Sequence, residues 1–156
     1  MKTLVLGLGN PILSDDGVGS RVVEAIEARI ANEEVTLLET SVAGLGLLDI
    51  LAGYDRAIIV DAIQTVGGEA GLIYRLDPHD LGSAMHVTSP HDVDFTTAME
   101  LGKRLGVALP CEIVIFAVEA RDVTTFSEEC TPDVRRAIPI CADMVIAELN
   151  KAPVHK

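Results

Sequence analysis

The sequence predicts a three-layer αβα single domain with a central, mostly parallel five-stranded sheet. Three observations carry that expectation. Apolar, strand-like segments alternate with helix-like ones along the whole chain, the pattern that stacks parallel strands between two helical layers. Hydrophobic residues make up 49% of the chain and aromatic ones only 3%, so the core has to be aliphatic, which suits strands buried on both faces. A chain of 156 residues is long enough to bury one core and hardly two. Residues 1–150 read as that domain and residues 151–156 as a frayed tail.

Each element follows from its own pattern. "KTLVLGLG" is near-continuously apolar and reads as a strand buried on both faces. From Gly17 to about Ala31, Val18, Val22, Ile26 and Ile30 recur at helical spacing. "EVTLLET" alternates as a second strand, and "GLGLLDILAGY" is a short helix ending at Gly53. "DRAIIVDAI" is a third strand with Asp61 at its C-terminal end, and "AGLIYRLD" a fourth after the Gly67-Gly68 turn signal. A loop holding "SAMHVTSPHD" leads to a helix over "DFTTAMELGKRLG" that stops at Gly106. "CEIVIFAVEA" is the fifth strand. The last helix starts near "TPDVRRAI", with Thr131 placed to cap and Pro132 in the first turn, and runs to about Leu149.

Charge and cysteine usage remove whole classes of function. A formal net charge of −12 argues against nucleic acid or an anionic membrane surface as partner and suits a cation or a cationic partner. The three cysteines, Cys111, Cys130 and Cys141, include no C-x-x-C pair, and they read as reduced thiols of a cytoplasmic protein. Asn10, Pro11 and the acidic pair after them break the N-terminal apolar stretch, against a signal peptide. No apolar run approaches the roughly 20 residues of a membrane span.

In sheets of this kind the site lies beyond the carboxyl ends of the strands. Asp15 and Asp16 follow the first strand, Asp61 ends the third, and His91 lies in the loop before the helix over residues 94–106, so all can meet on one rim. A dinucleotide site fits poorly. Gly7 and Gly9 supply half of G-x-G-x-x-G, but Ile12 stands at the third position, Pro11 lacks an amide donor, and the aspartates would face a pyrophosphate. No P-loop G-K-[ST] follows. "GLGNP" resembles the opening of bacterial-type peptidyl-tRNA hydrolases, yet "ILSDDGVG" has neither the histidine nor the arginine of their T-R-H-N segment. Two carboxylates and an imidazole instead make an O,O,N set with open positions, suited to a borderline divalent ion such as nickel or zinc.

The chain resembles the hydrogenase maturation protease family. The resemblance rests on "LVLGLGNPILSDDGVG", "AIIVDAI" and "SPHDVDF", which occur in family order and span nearly the whole chain. It implies that Asp16, Asp61 and His91 form the nickel-recognising set, with aspartate at the first position where the family often has glutamate. It also implies an endopeptidase that holds no permanent metal and no organic cofactor. Such an enzyme reads nickel already placed in the precursor of a [NiFe]-hydrogenase large subunit and removes a short C-terminal peptide. Water is the economical nucleophile, since no Ser-His-Asp or Cys-His constellation stands out. The nickel can polarise the scissile carbonyl or acidify water, and Asp16 or Asp61 can be ligand or general base. Two alternatives share these residues: a constitutive metallohydrolase with its own zinc, and a non-catalytic nickel-binding or delivery module.

Other residues carry plainer expectations. Asp15 is expected to cap the helix starting near Gly17. His86 is the rival to His91 and His79 a weaker one. Gly7, Gly9, Gly17 and Gly19 serve backbone geometry, and Gly44 and Gly46 helix entry. Cys130 and Cys141 are expected to lie away from the rim without chemistry, and Glu33-Glu34 and Glu128-Glu129 to be solvated.

Overall fold

The computed structural model describes residues 1–42, 44–78 and 92–152, the side chains of residues 92–94 apart. Its elements are β1 (Thr3–Leu8), a 3-10 turn (Ser14–Gly17), α1 (Val18–Glu27), β2 (Val35–Thr40) and α2 (Gly46–Leu51). Then come β3 (Arg56–Ile63), β4 (Ile73–Leu76), α3 (Asp92–Leu105), β5 (Glu112–Glu119) and α4 (Pro132–Leu149). The five strands form one sheet in the order β2-β1-β3-β5-β4. β1 pairs in parallel with β2 and β3, and β3 with β5. β4 runs antiparallel to β5, and the chain length explains the reversal. Residues 64–72 are too few for the crossover of a dozen or more residues that another parallel strand needs.

Strand alternation sorts the core into two layers. Val5, Ile58, Val60, Val114, Phe116 and Val118 pack with α1 and α4 on one face. Leu4, Leu6, Ile59, Ile113 and Ile115 pack with Leu47 and Leu51 of α2 and Phe95 and Met99 of α3 on the other. The expected αβα sandwich is therefore the structure formed. β1 is buried along its whole length, and Val18, Val22 and Ile26, one turn apart on α1, are fully buried.

α1 stops at Glu27, short of the expected Ala31. The Arg29 amide turns back to the Ile26 carbonyl at 2.9 Å, and Asn32 Oδ1 accepts from the Glu34 amide at 2.9 Å, so residues 29–34 form the turn into β2. α2 ends as expected, with Gly53 at φ +88°. At the other end of the chain Lys151 Nζ reaches back to Glu148 at 3.1 Å, and residues 153–156 lie outside the described residues. Among the described residues no helix is long and apolar enough to cross a membrane.

Candidate active site

The site begins with a close approach of backbones. A Cβ on Gly7 of β1 would lie 2.5 Å from the Gly19 carbonyl oxygen, and a Cβ on Gly19 would lie 2.5 Å from the carbonyl oxygen of Val60. Only hydrogen fits at either position. The first turn of α1 therefore sits directly on the ends of β1 and β3. The Ser14–Gly17 turn before it contacts β3 in turn. Val60 immediately precedes Asp61, so this packing brings the loop of Asp16 to the end of the sheet where Asp61 lies, two residues before the end of β3.

Asp16 is 8% exposed, and its Oδ2 accepts from the Asn10 amide at 2.8 Å. Gly9, at φ +125°, makes that wrap possible, since a Cβ there would run into the Asp16 carbonyl oxygen. Asp61 is 3% exposed. It sits opposite Ala117 in the β3–β5 register, and its Oδ1 accepts from the Ala62 amide at 2.8 Å. One oxygen of each carboxylate is thus held by a backbone N–H, which fixes its orientation. Asp61 shares the strand face of Ile59 and Ile63, the face covered by α2 and α3. α3 is about 20 Å long and leads into β5 at the far end of the sheet, so its N-terminal end faces the rim. His91, His86 and His79 lie outside the described residues. Among the described residues no three His, Cys, Asp or Glu side chains gather as a metal site.

Asp15 does not cap α1, which has Gly17 at its N-cap and no side-chain capping bond. Fully buried, its carboxylate instead accepts from the amides of Arg121 (2.9 Å), Asp122 (3.0 Å) and Thr131 (2.7 Å) and from the Thr131 hydroxyl (2.8 Å). Thr131 does occupy the N-cap position of α4, but its hydroxyl is spent on Asp15 rather than on the helix. Asp15 is a clamp between the β1–α1 and β5–α4 loops. Ser14 adds to it by donating from its amide to Ser127 O at 2.8 Å and from its hydroxyl to Glu129 O at 3.1 Å. Ser14 itself has φ +51°, the left-handed region a non-glycine rarely enters.

Two rim features go beyond the sequence reading. Glu119 ends β5 at 2% exposure. It accepts from the Thr65 amide at 2.8 Å, from the Thr65 hydroxyl and from Tyr74 OH at 3.2 Å. Those bonds make it an anchor for the β3–β4 loop. Its signal is close to the one Asp61 shows, an acidic residue near the C-terminal end of an apolar strand. Beside it an open cleft is lined by Gln64, Thr65, Gly68, Glu119 and Arg121. Cys130 also lies nearer the rim than expected, because the β5–α4 loop folds back and brings its Sγ to 3.8 Å from Ser14 O. Burial and then the charge of Asp15 push its thiol up to about 11, and burial alone pushes Cys141 to about 12. Both stay protonated near neutrality. Cys111 precedes β5 at the opposite end of the sheet, so no cysteine is placed to act at this rim as a nucleophile.

The family model described as hydrogenase maturation protease matches residues 20–148. The chain belongs to the hydrogenase maturation protease family. Membership makes it a peptidase. The match takes in Asp61 and the position of His91, while Asp16 falls just before it. The hydrogenase 2 maturation protease of Escherichia coli (strain K12) is 30% identical over 157 residues, covering 99% of this chain and 94% of its own, a span that includes the Asp16 loop. Among solved structures, the hydrogenase maturating endopeptidase HybD from E. coli superposes with a TM-score of 0.82 at 30% identity, over 96% of this chain and 92% of that one. The [NiFe] hydrogenase maturation protease HybD from Thermococcus kodakarensis shares the fold with a TM-score of 0.72 at 22% identity, over 97% of this chain and the whole of that one.

Proposed function

We propose that this maturation protease removes a short C-terminal peptide from the nickel-loaded precursor of a [NiFe]-hydrogenase large subunit. In this reading it recognises the substrate's nickel through Asp16, Asp61 and His91. The observation that carries the reading is the glycine-packed junction of α1 with β1 and β3. It sets two buried carboxylates, each oriented by a backbone N–H, on one rim of a family peptidase. A cation delivered by the substrate is a fitting ligand for two carboxylates on one rim. His91, the residue before α3 in the sequence, completes an O,O,N donor set suited to nickel.

Peptide hydrolysis then needs a polarised carbonyl, an activated water and a proton for the leaving amine. The substrate's nickel supplies charge at the scissile bond, and Asp16 or Asp61 takes the proton from water. The cleft bordered by Thr65, Gly68 and Arg121 is open and gives an extended peptide room at the end of β5. The nickel enters and leaves with the substrate, and the site works in the cytoplasm, where the precursor is assembled.

The test is processing of the nickel-loaded precursor by the variants Asp16→Ala, Asp61→Ala and His91→Ala, with folding checked by circular dichroism. Each variant is expected to stay folded and to lose cleavage. Near wild-type cleavage by folded Asp61→Ala or His91→Ala would remove that residue from the site.

A further inference from the structure

One of the chain's three phenylalanines is spent on the surface. Phe95 and Phe116 are core residues at 3% and 1% exposure, whereas Phe126, in the β5–α4 loop, is 82% exposed. An isolated exposed apolar residue needs no explanation, but Phe126 has company and a rigid mount. Ser127 donates from its amide to Ile12 O at 2.9 Å and accepts from the Ser14 amide at 2.8 Å, which sets Ile12, 47% exposed, beside it. Asp122 Oδ1 accepts from the amides of Thr124 and Thr125, both at 3.0 Å, closing a turn ahead of Phe126. Arg21 of α1 ties the far side by donating to Glu128 O at 2.8 Å. The ring is held out to solvent by a hydrogen-bonded loop, so little ordering entropy is left to lose on contact with a partner.

The ridge also has a place and a charge. Ile12 lies four residues before Asp16, and the loop carrying Phe126 is the one clamped by Asp15, so the ridge borders the candidate active site. Arg135 pairs with Glu129, Arg21 with Glu24, and Arg121 and Arg136 share Asp133, so the charges nearest Phe126 along its own loop are the acidic Asp122 and Glu128, on a chain of net charge −12.

We infer that Phe126 and Ile12 form the docking ridge for the protein substrate, entering an apolar socket that is bordered by lysine or arginine on the folded precursor. The inference rests on the proposed protease reading and adds a contact away from the scissile bond. Docking there holds the folded precursor on the enzyme while its C-terminal tail reaches Asp16 and Asp61, and a contact made equally before and during the chemistry is read in KM rather than in kcat.

The test is steady-state processing of the nickel-loaded large-subunit precursor by Phe126→Ala, Ile12→Ala and a control, Ile140→Ala, on α4. Phe126→Ala should raise KM on the order of 10-fold or more with kcat close to wild type, Ile12→Ala should raise it less, and Ile140→Ala should leave it unchanged. An unchanged KM in folded Phe126→Ala, with the wild type active, would overturn the docking ridge and leave the protease standing. A loss confined to kcat would also overturn it. So would a wild-type self-association that Phe126→Ala abolishes while KM holds, since the ridge would then serve a second copy of this chain. A wild type that processes no precursor would overturn both readings together.

Discussion

Gly19 and Val60 meet backbone to backbone: a Cβ on Gly19 would lie 2.5 Å from the Val60 carbonyl oxygen and 2.8 Å from that of Leu8. The contact joins the start of α1 to the strand that carries Asp61, and so holds the Asp16 loop against that strand from outside the site. A carbonyl in the middle of a sheet cannot move aside as a flexible side chain can. Gly19→Ala is therefore expected to cost about 3 kcal/mol, at the upper end of overpacking effects, and to lower processing by displacing Asp16. Urea unfolding measures the first effect and the precursor assay the second. A fully stable, fully active variant would show that the junction yields.

Asp15 is the next point of failure. Its carboxylate receives three backbone amides and one hydroxyl and is fully buried. Asp15→Ala leaves those donors without an acceptor, at about 1–3 kcal/mol for a buried unsatisfied group. Denaturant titration should show a loss of at least that size, and Asp15→Asn, which keeps one acceptor oxygen, a smaller one. A loss below about 0.5 kcal/mol for Asp15→Ala would contradict the clamp.

The three thiols should separate by reactivity. Cys111 is exposed, whereas Cys130 and Cys141 are buried and pushed up to about 11 and 12, and the thiolate is the reactive form. Brief alkylation of the folded protein near neutral pH should add one label, at Cys111, by peptide mass mapping, and Cys111→Ser should process precursor normally. Fast labelling of Cys130 would mean that the loop on Ser14 opens readily.

Acid stability has a readable sign. Glu148, 2% exposed, sits below its ordinary value because Arg75 hydrogen-bonds to it and Lys151 adds to the pull. Asp122 is lowered to about 2 by the Thr125 hydroxyl and the Thr124 and Thr125 amides. A carboxyl depressed in the folded state stabilises above its unfolded pKa and loses that contribution as pH falls through the folded one. The stability of the folded protein should therefore drop between roughly pH 4 and pH 2, and Glu148→Gln should be less stable at pH 7 with a shallower acid loss. Urea midpoints across that range measure it, and an unchanged acid slope in Glu148→Gln would contradict the assignment.

The fold and part of the candidate site's framework are legible in the sequence for the same reason: both are written in local patterns. Continuous apolar runs mark β1, β3 and β5, and a carboxylate interrupting such a run near its end marks Asp61. The glycines around Asp16 announce a backbone approach without saying to what. Asp15 reads locally as a cap because its true partners, Arg121, Asp122 and Thr131, lie more than a hundred residues away, and no local spacing encodes such a pairing. Cys130 looks remote for the same reason, since only the folded β5–α4 loop brings it to Ser14. The antiparallel β4 could be read from the shortness of its connection to β3, a length argument rather than a pattern.

The most direct measurement of the central claim is the mass of the large-subunit precursor before and after incubation with the purified protein, run with nickel-loaded and nickel-free precursor. The account predicts loss of a C-terminal peptide from the nickel-loaded form alone, because Asp16 and Asp61 need the cation before the scissile bond can be placed. Equal cleavage of both forms would contradict nickel as the signal, and cleavage of neither would contradict the assignment of this substrate.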